Sequence, residues 1–320
     1  MKNFNLKILV LLLAFGTFMV GCDSDDDDDN PTGPDSKSIV ELASETDDLS
    51  ILVQALELTD LDGTLAGEGS FTVFAPTNAA FEALLASNDD WNSLSDIPTE
   101  TLKNVLLFHV LGSKVESTDL TDTYVNTLAT GPNDEFLSLQ VQVDGGVMFN
   151  GNAKPITTDI EANNGVIHTI DAVMMPKNIV ALALSNDNFS ILVSALTDGR
   201  HNTDFVATLN AAGPYTVFAP TNAAFEALLA SNQEWNSLGD IPIETLAAVL
   251  SYHVVAAANV QSSELTDGQT INLFGGGTVE VDLDNGAELI TTSGQTVKVV
   301  IPDVQGTNGV IHAIDKVMLP

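Results

Sequence analysis

Four of the five histidines fall into two pairs set 144 positions apart, His109 with His168 and His253 with His312. Imidazoles that recur together could form a metal site or an acid–base pair. Their placement argues against both. A zinc site takes three or four ligands, and spacing supplies no third in either copy. His109 lies seven residues after Leu102, on the apolar face of a helix that also carries Val105 and Leu106. His168 alternates with Val166 and Ile170, on the apolar face of a strand. All four rings are therefore expected to point inward and bond to backbone or hydroxyl groups. On this reading His253→Ala destabilises the second copy without abolishing an isolated chemistry. A stable variant that had lost bound metal would overturn it.

Other candidates divide the same way. Thr77-Asn78 and Thr221-Asn222 could meet a partner, but capping the helix that follows is the plainer role. Trp91 and Trp235 could stack on sugars or cover a helix end. Asp171 and Asp315 face away from the histidines on their strands, so they read as solvated or paired. Asp282, Asp284 and Asn285 resemble a calcium loop only weakly: the glycine falls one place early and no glutamate follows at the right spacing. Gly275-Gly276-Gly277 reads as a loop. The signatures GxSxG, HExxH and GxxxxGK are missing, and so is a cysteine nucleophile. The expectation is a non-enzyme with no cofactor and no metal.

The elements that position these residues come as a tandem. TVFAPTNAAFEALLASN occurs at Thr72–Asn88 and again, unchanged, at Thr216–Asn232. A 144-residue period is domain-sized rather than that of a solenoid. The repeats are placed at 36–176 and 177–320, joined so briefly that relative motion is restricted. Leu49, Leu52, Val53 and Leu56 predict a first helix, as do Phe189, Leu192, Val193 and Leu196, with Asp48 and Asn188 as N-caps. Short strands Phe71–Phe74 and Tyr215–Phe218 precede the Thr-Asn helices, and third helices begin near Pro98 and Pro242. The back halves alternate apolar and polar residues, with Asp144-Gly145 and Asn285-Gly286 as hairpin turns. Helices first and strands later predict an α+β fold with a mainly antiparallel sheet.

The N-terminus reads as targeting. Lys2 and Lys7 precede an apolar run, Ile8–Val20, too short to span a bilayer. A signal peptide is expected over 1–21. Met19-Val20-Gly21-Cys22 resembles the bacterial lipobox, with Met19 in place of the usual leucine. Cys22 is the sole cysteine, which excludes an intrachain disulfide and fits lipidation. A chance cysteine explains neither its position nor its uniqueness. Residues 22–35 read as a disordered acidic tether built around Asp25–Asp29. That run resembles the surface-export signal of Bacteroidota lipoproteins. A cell-surface outer-membrane lipoprotein is expected, with a periplasm-facing one as the alternative. The formal charge of −34 opposes binding to nucleic acid or anionic lipid. Yet 44% of residues are hydrophobic, enough for a core in each repeat.

Three ordered motifs resemble the fasciclin domain: TVFAPTNAAF at Thr72–Phe81 and Thr216–Phe225; FHVL at Phe108–Leu111 and YHVV at Tyr252–Val255; and NGVIHxIDxVMxP at Asn164–Pro176 and Asn308–Pro320. The resemblance implies two tandem β-sandwich or wedge domains with helices packed alongside. It marks Thr77, Asn78, Phe108, His109, Asn164, Gly165 and His168 as family-motif positions, structural or interacting, with Thr221, Asn222, Tyr252, His253, Asn308, Gly309 and His312 in the second copy. Phe108 replaces the usual tyrosine, so any role of that hydroxyl is in doubt in repeat one. In some animal members the Tyr-His element and an Asp-Ile dipeptide, here Asp96-Ile97 and Asp240-Ile241, are linked to integrin binding; that partner is not carried over. The family implies an extracellular adhesion module. The expected partner is an unidentified protein or polysaccharide at the cell surface or matrix, with the membrane met only through the lipid. An envelope ligand- or glycan-binding protein with a pocket is the alternative.

Overall fold

Each copy folds as a helical layer against a strand pair whose two members are parallel. The computed structural model describes residues 37–320. The expected signal peptide at 1–21 and the expected lipidated Cys22 and acidic tether over 22–35 lie outside the described residues.

In the first domain the helices are α1 (Ile39–Ser44), α2 (Ser50–Leu58) and α3 (Asp62–Ala66). Then come β1 (Phe71–Pro76), α4 (Asn78–Ala86), α5 (Thr99–Phe108) and β2 (Val110–Leu111). The strands β3 (Thr123–Thr130), β4 (Phe136–Gln142), β5 (Met148–Phe149), β6 (Pro155–Ala162) and β7 (Gly165–Ile170) close it. The second domain repeats the plan with α6 (Ile179–Leu184), α7 (Ser190–Leu196), α8 (Phe205–Asn210), β8 (Tyr215–Pro220), α9 (Asn222–Ala230) and α10 (Ile243–Ser251). Its remaining strands are β9 (Val254–Ala256), β10 (Thr270–Asn272), β11 (Thr278–Asp282), β12 (Glu288–Thr291), β13 (Thr296–Gly306) and β14 (Gly309–Ile314).

The α+β class and the mainly antiparallel sheets are as expected. One pairing departs from the alternation pattern: β1 runs parallel to β7, and β8 parallel to β14. Strands β7 and β14 are buried on both faces, as parallel strands are, with His168 and His312 as buried polar members of otherwise mainly apolar stretches. The copies also differ. The first has a four-stranded sheet, β2-β1-β7-β6, beside a separate β3-β4-β5 sheet. The second joins all seven strands as β10-β11-β12-β13-β14-β8-β9. The cause is local: β5 stops after Phe149, where Asn150 and Gly151 turn with positive φ, whereas β12 continues and pairs with β13.

Two apolar clusters flank β1 and β7. One holds Leu52, Leu56, Phe81, Leu102 and Ile167; the other holds Phe74, Phe108, Leu139, Phe149 and Ile170. The second domain repeats both. Trp91 and Trp235 pack, half-buried, against the helical clusters. Asp48 and Asn188 are not N-caps: each lies inside a 3-10 turn, 47–49 or 187–189, that precedes the helix. In the second copy Asn186, two residues earlier, accepts the Asn188 N–H at 3.0 Å. Among the described residues no helix is long and apolar enough to cross a membrane.

Residues 37–320 belong to one compact unit. The faces meet where β4 of the first domain packs on β13 of the second. Ser138 Oγ donates to Asp303 O at 3.3 Å and accepts the Gln305 N–H at 2.9 Å. Tyr124 packs against the core of the second domain, and its hydroxyl accepts from Asn186 Nδ2 at 2.9 Å.

Candidate functional site

The Thr-Asn motif tethers one helix to the start of another. Thr77 caps its own helix, its hydroxyl accepting the Ala80 N–H at 3.3 Å. Asn78 instead serves α2: its Oδ1 accepts the Ile51 N–H at 2.9 Å, and its Nδ2 donates to Asp47 O and Ser50 Oγ, both at 3.0 Å. Thr221 and Asn222 repeat this on Ala224, Ile191, Asp187 and Ser190. An orphan N–H at a helix start is thereby satisfied from a neighbouring element.

The histidines form no constellation. His109 sits one residue past the end of α5, 2% exposed. Its Nδ1–H donates to Val105 O at 2.7 Å, and its Nε2 accepts the Met174 N–H at 2.9 Å. His253 does the same with Val249 and Met318. Both nitrogens are used, which fixes the neutral tautomer. Burial holds both rings down to about 4. His168 Nε2 donates to Val115 O at 2.9 Å and its Nδ1 accepts the Asp159 N–H at 3.2 Å. His312 repeats this with Val260 and Asp303, and burial lowers its pKa too. Asp159 and Asp303 stand at bulges with φ of 61° and 58°. Their carboxylates accept N–H and O–H from Ser117 and Ser262. Asp171 and Asp315 accept the N–H of Lys154 and Lys298.

Asn164 is a three-way clamp. Its Oδ1 accepts the Ile39 N–H at 3.0 Å, and its Nδ2 donates to Leu65 O at 2.7 Å and Gly67 O at 2.8 Å. Asn308 clamps Ile179, Leu209 and Ala211 identically. Gly165 and Gly309 follow because their partner strand leaves no room. A Cβ would lie 2.0 Å from Phe71 O, or 2.1 Å from Tyr215 O.

Phe108 and Tyr252 fill matching core positions. The Tyr252 hydroxyl donates to Thr278 O at 2.7 Å, and Gly277 leaves space for the ring. Phe108 packs without that bond. Asp96 and Asp240 are capping-box acceptors, and burial of Ile97 and Ile241 takes the Asp-Ile dipeptides partly out of solvent.

Spacing missed the groups gathered at the domain junction. A cleft of about 430 Å³ is lined by residues of both domains, among them Asp122, Tyr124, Gln140, Asp144, Asn186 and Asp187. The buried Gln140 Oε1 has no partner among the described residues. A second cleft of similar size is lined by Asn150, Asn152, Lys177 and Thr307, with no carboxylate. There Lys177 Nζ donates to Asn150 O at 2.7 Å, and burial lowers its pKa. Elsewhere Asp267 joins Asp282 and Asp284 in a surface carboxylate group. Asp267 is 15 residues before Asp282 in sequence, beyond the reach of a loop pattern. The signal that could have found the junction is where the copies differ.

The fasciclin domain model matches at 47–176 and 187–320. The chain is 31% identical over 259 residues to transforming growth factor-beta-induced protein ig-h3 of Sus scrofa, covering 80% of this chain and 35% of that protein. It is 30% identical over 260 residues to human periostin, covering 80% of this chain and 29% of that protein. Protein sll1483 of Synechocystis is 40% identical over 139 residues, covering 43% of this chain and 73% of that protein. The chain thus spans about a third of the length of the animal relatives. A solved FAS1 domain pair from the insect cell adhesion molecule fasciclin I superposes with a TM-score of 0.49 at 18% identity, covering 88% of this chain and 96% of that one. Two matched segments, each with its own copy of the three motifs, make this chain a member of the fasciclin-domain family carrying the domain twice in tandem.

Proposed function

We propose that the chain is a lipid-anchored surface module that binds protein or polysaccharide of the matrix or of neighbouring cells. Cys22 carries the lipid after removal of 1–21, and the acidic segment to residue 35 displays the folded pair at the outer-membrane surface. The domains run 36–176 and 177–320. In support, α1 and α6 precede the matched segments yet give Ile39, Ala43, Ile179 and Leu182 to their cores.

The observation that carries this reading is how the motif side chains are used. Thr77, Asn78, His109, Asn164 and His168, and their five counterparts, all bond internally. They build a scaffold, and recognition falls to the outer surface and the junction. Saturable binding of the labelled protein to cells or matrix, competed by unlabelled protein, is the expected result with or without calcium. Absence of such binding under both conditions would sink the reading.

A second reading, a pocket for a saccharide, is favoured by the junction cleft. Gln140 Oε1, three aspartates and Tyr124 offer acceptors and a ring face to hydroxyl-rich ligands. It predicts a saturable thermal shift with an oligosaccharide, lost in Gln140→Ala. A shift that survives this variant removes the cleft from consideration.

A further inference from the structure

The two domains carry the same surface in two chemical versions. In the first domain Lys114 Nζ pairs with Glu116 at 3.0 Å and Glu161 at 3.4 Å, and the side chains remain 37%, 46% and 75% exposed. The flanking bonds fix the equivalence. Val115 O and Val260 O meet His168 and His312, and Glu161 and Gln305 pair across from Val166 and Val310. Lys114, Glu116 and Glu161 therefore correspond to Asn259, Gln261 and Gln305. All three charges have become amides, and all three amides are buried.

The amides satisfy one another. Gln305 Oε1 accepts from Asn259 Nδ2 at 3.1 Å and Gln261 Nε2 at 2.6 Å. Gln305 Nε2 donates to Asn259 Oδ1, Gly306 O and Gly309 O at 2.9–3.1 Å. Above them sits the first domain: Ser138 Oγ takes the Gln305 N–H, and a Cβ on Gly131 would lie 3.0 Å from Gly306 O. Ser138 lies between Leu137 and Leu139, which fill the first domain's core, so its own side chain faces outward into the junction.

We propose that the Asn259–Gln261–Gln305 cluster is a docking surface whose partner is the β3–β4 sheet of the first domain, and that removal of charge there is what lets the domains lock together. The ion triad of the first domain could not serve. Burying it would strip water from three ions, at a cost their mutual attraction recovers only with excellent geometry. Neutral amides cost less and are bonded on every side. In a chain of net charge −34, an uncharged patch is what two acidic bodies need in order to touch. Both junction clefts are lined from both sides, so docking also shapes them. In that respect the inference rests on the interaction reading, but its test does not.

The test uses the full chain with Cys22→Ser and spin labels at Asp89→Cys and Gln233→Cys, both exposed. The parent should give one narrow interlabel distance. The triple variant Asn259→Lys, Gln261→Glu, Gln305→Glu rebuilds the ion triad that the first domain folds with, so the second domain should keep its fold while the narrow distance is lost. Ser138→Glu introduces charge from the other side and leaves the second domain untouched, and should act alike. A narrow distance retained in both variants overturns the proposal, whether or not a matrix partner binds.

Discussion

The ring of His253 accepts the backbone N–H of Met318 at 2.9 Å, across 65 positions of chain. It joins the end of α10 to the last segment of the domain, and His109 makes the same joint to Met174.

Those joints predict a pH dependence. Burial holds His109 and His253 at about 4 when folded, against 6.5 ordinarily. A depressed histidine pKa means the unfolded chain binds the proton first. Stability is therefore complete above about 6.5 and is lost as pH falls from there toward 4. The slope approaches about 1 kcal/mol per pH unit for each ring. Between pH 6.5 and 5 most carboxylates stay ionised, so relief of self-repulsion does not mask the trend. Urea midpoints at pH 7, 6 and 5 should fall in that order, and a flat profile would contradict the burial argument. His312, lowered by the same cause, adds to the trend in the second domain.

The Asn clamps predict an asymmetry between two changes at one position. Asn164→Ala strands the Ile39 N–H and the carbonyls of Leu65 and Gly67. At about 1–3 kcal/mol for each buried group left unpaired, the first domain should lose about 3 kcal/mol or more. Asn164→Asp keeps the acceptor but sets a carboxylate against two carbonyls, so it should not rescue. If chemical denaturation found the Asn164→Asp variant as stable as the wild-type protein, the assigned amide orientation would be refuted.

The hydroxyl of Tyr252 should be worth little and should not transfer. Tyr252→Phe removes one bond to Thr278 O, at a cost of about 1 kcal/mol. Phe108→Tyr adds a hydroxyl to an apolar cluster with Leu111, Ala129 and Leu137. It should destabilise rather than improve the first domain, because a buried hydroxyl without a partner costs more than the ring gains. Thermal unfolding of both variants checks the pair.

How much of this was legible follows from the distance between partners. The repeated stretch and the period-two alternation are patterns of the letters themselves and need no knowledge of contacts, and they carried the tandem and the strands. Inward-facing histidines were legible because a helix face or a strand face can be counted. The Asn164 clamp was not, since its partners lie 125, 99 and 97 positions away. Nor was the parallel pairing of β1 with β7, which depends on packing rather than on either strand alone. The junction left a trace of a different kind. Glu161 and Gln305 occupy one position in two copies, and the loss of charge marks the surface that became buried. Reading it needed the knowledge that the copies touch.

A last prediction separates steric collision from backbone strain. Gly309 and Gly286 both have positive φ, 155° and 103°. A Cβ on Gly309 would stand 2.1 Å from Tyr215 O, at the start of the parallel β8–β14 pair; a Cβ on Gly286 would meet nothing within 4 Å. Gly286→Ala should therefore cost only the strained dihedral, about 1–3 kcal/mol. Gly309→Ala must also push the strands apart, breaking the ladder that carries His312 and the neighbouring Asn308 clamp. It should leave the second domain unfolded while the first, with its own Gly165, remains folded. Limited proteolysis would then yield a resistant fragment ending near residue 176. Survival of both domains in Gly309→Ala would show that the strands can part at that point, and the close approach would lose its role in explaining the glycine.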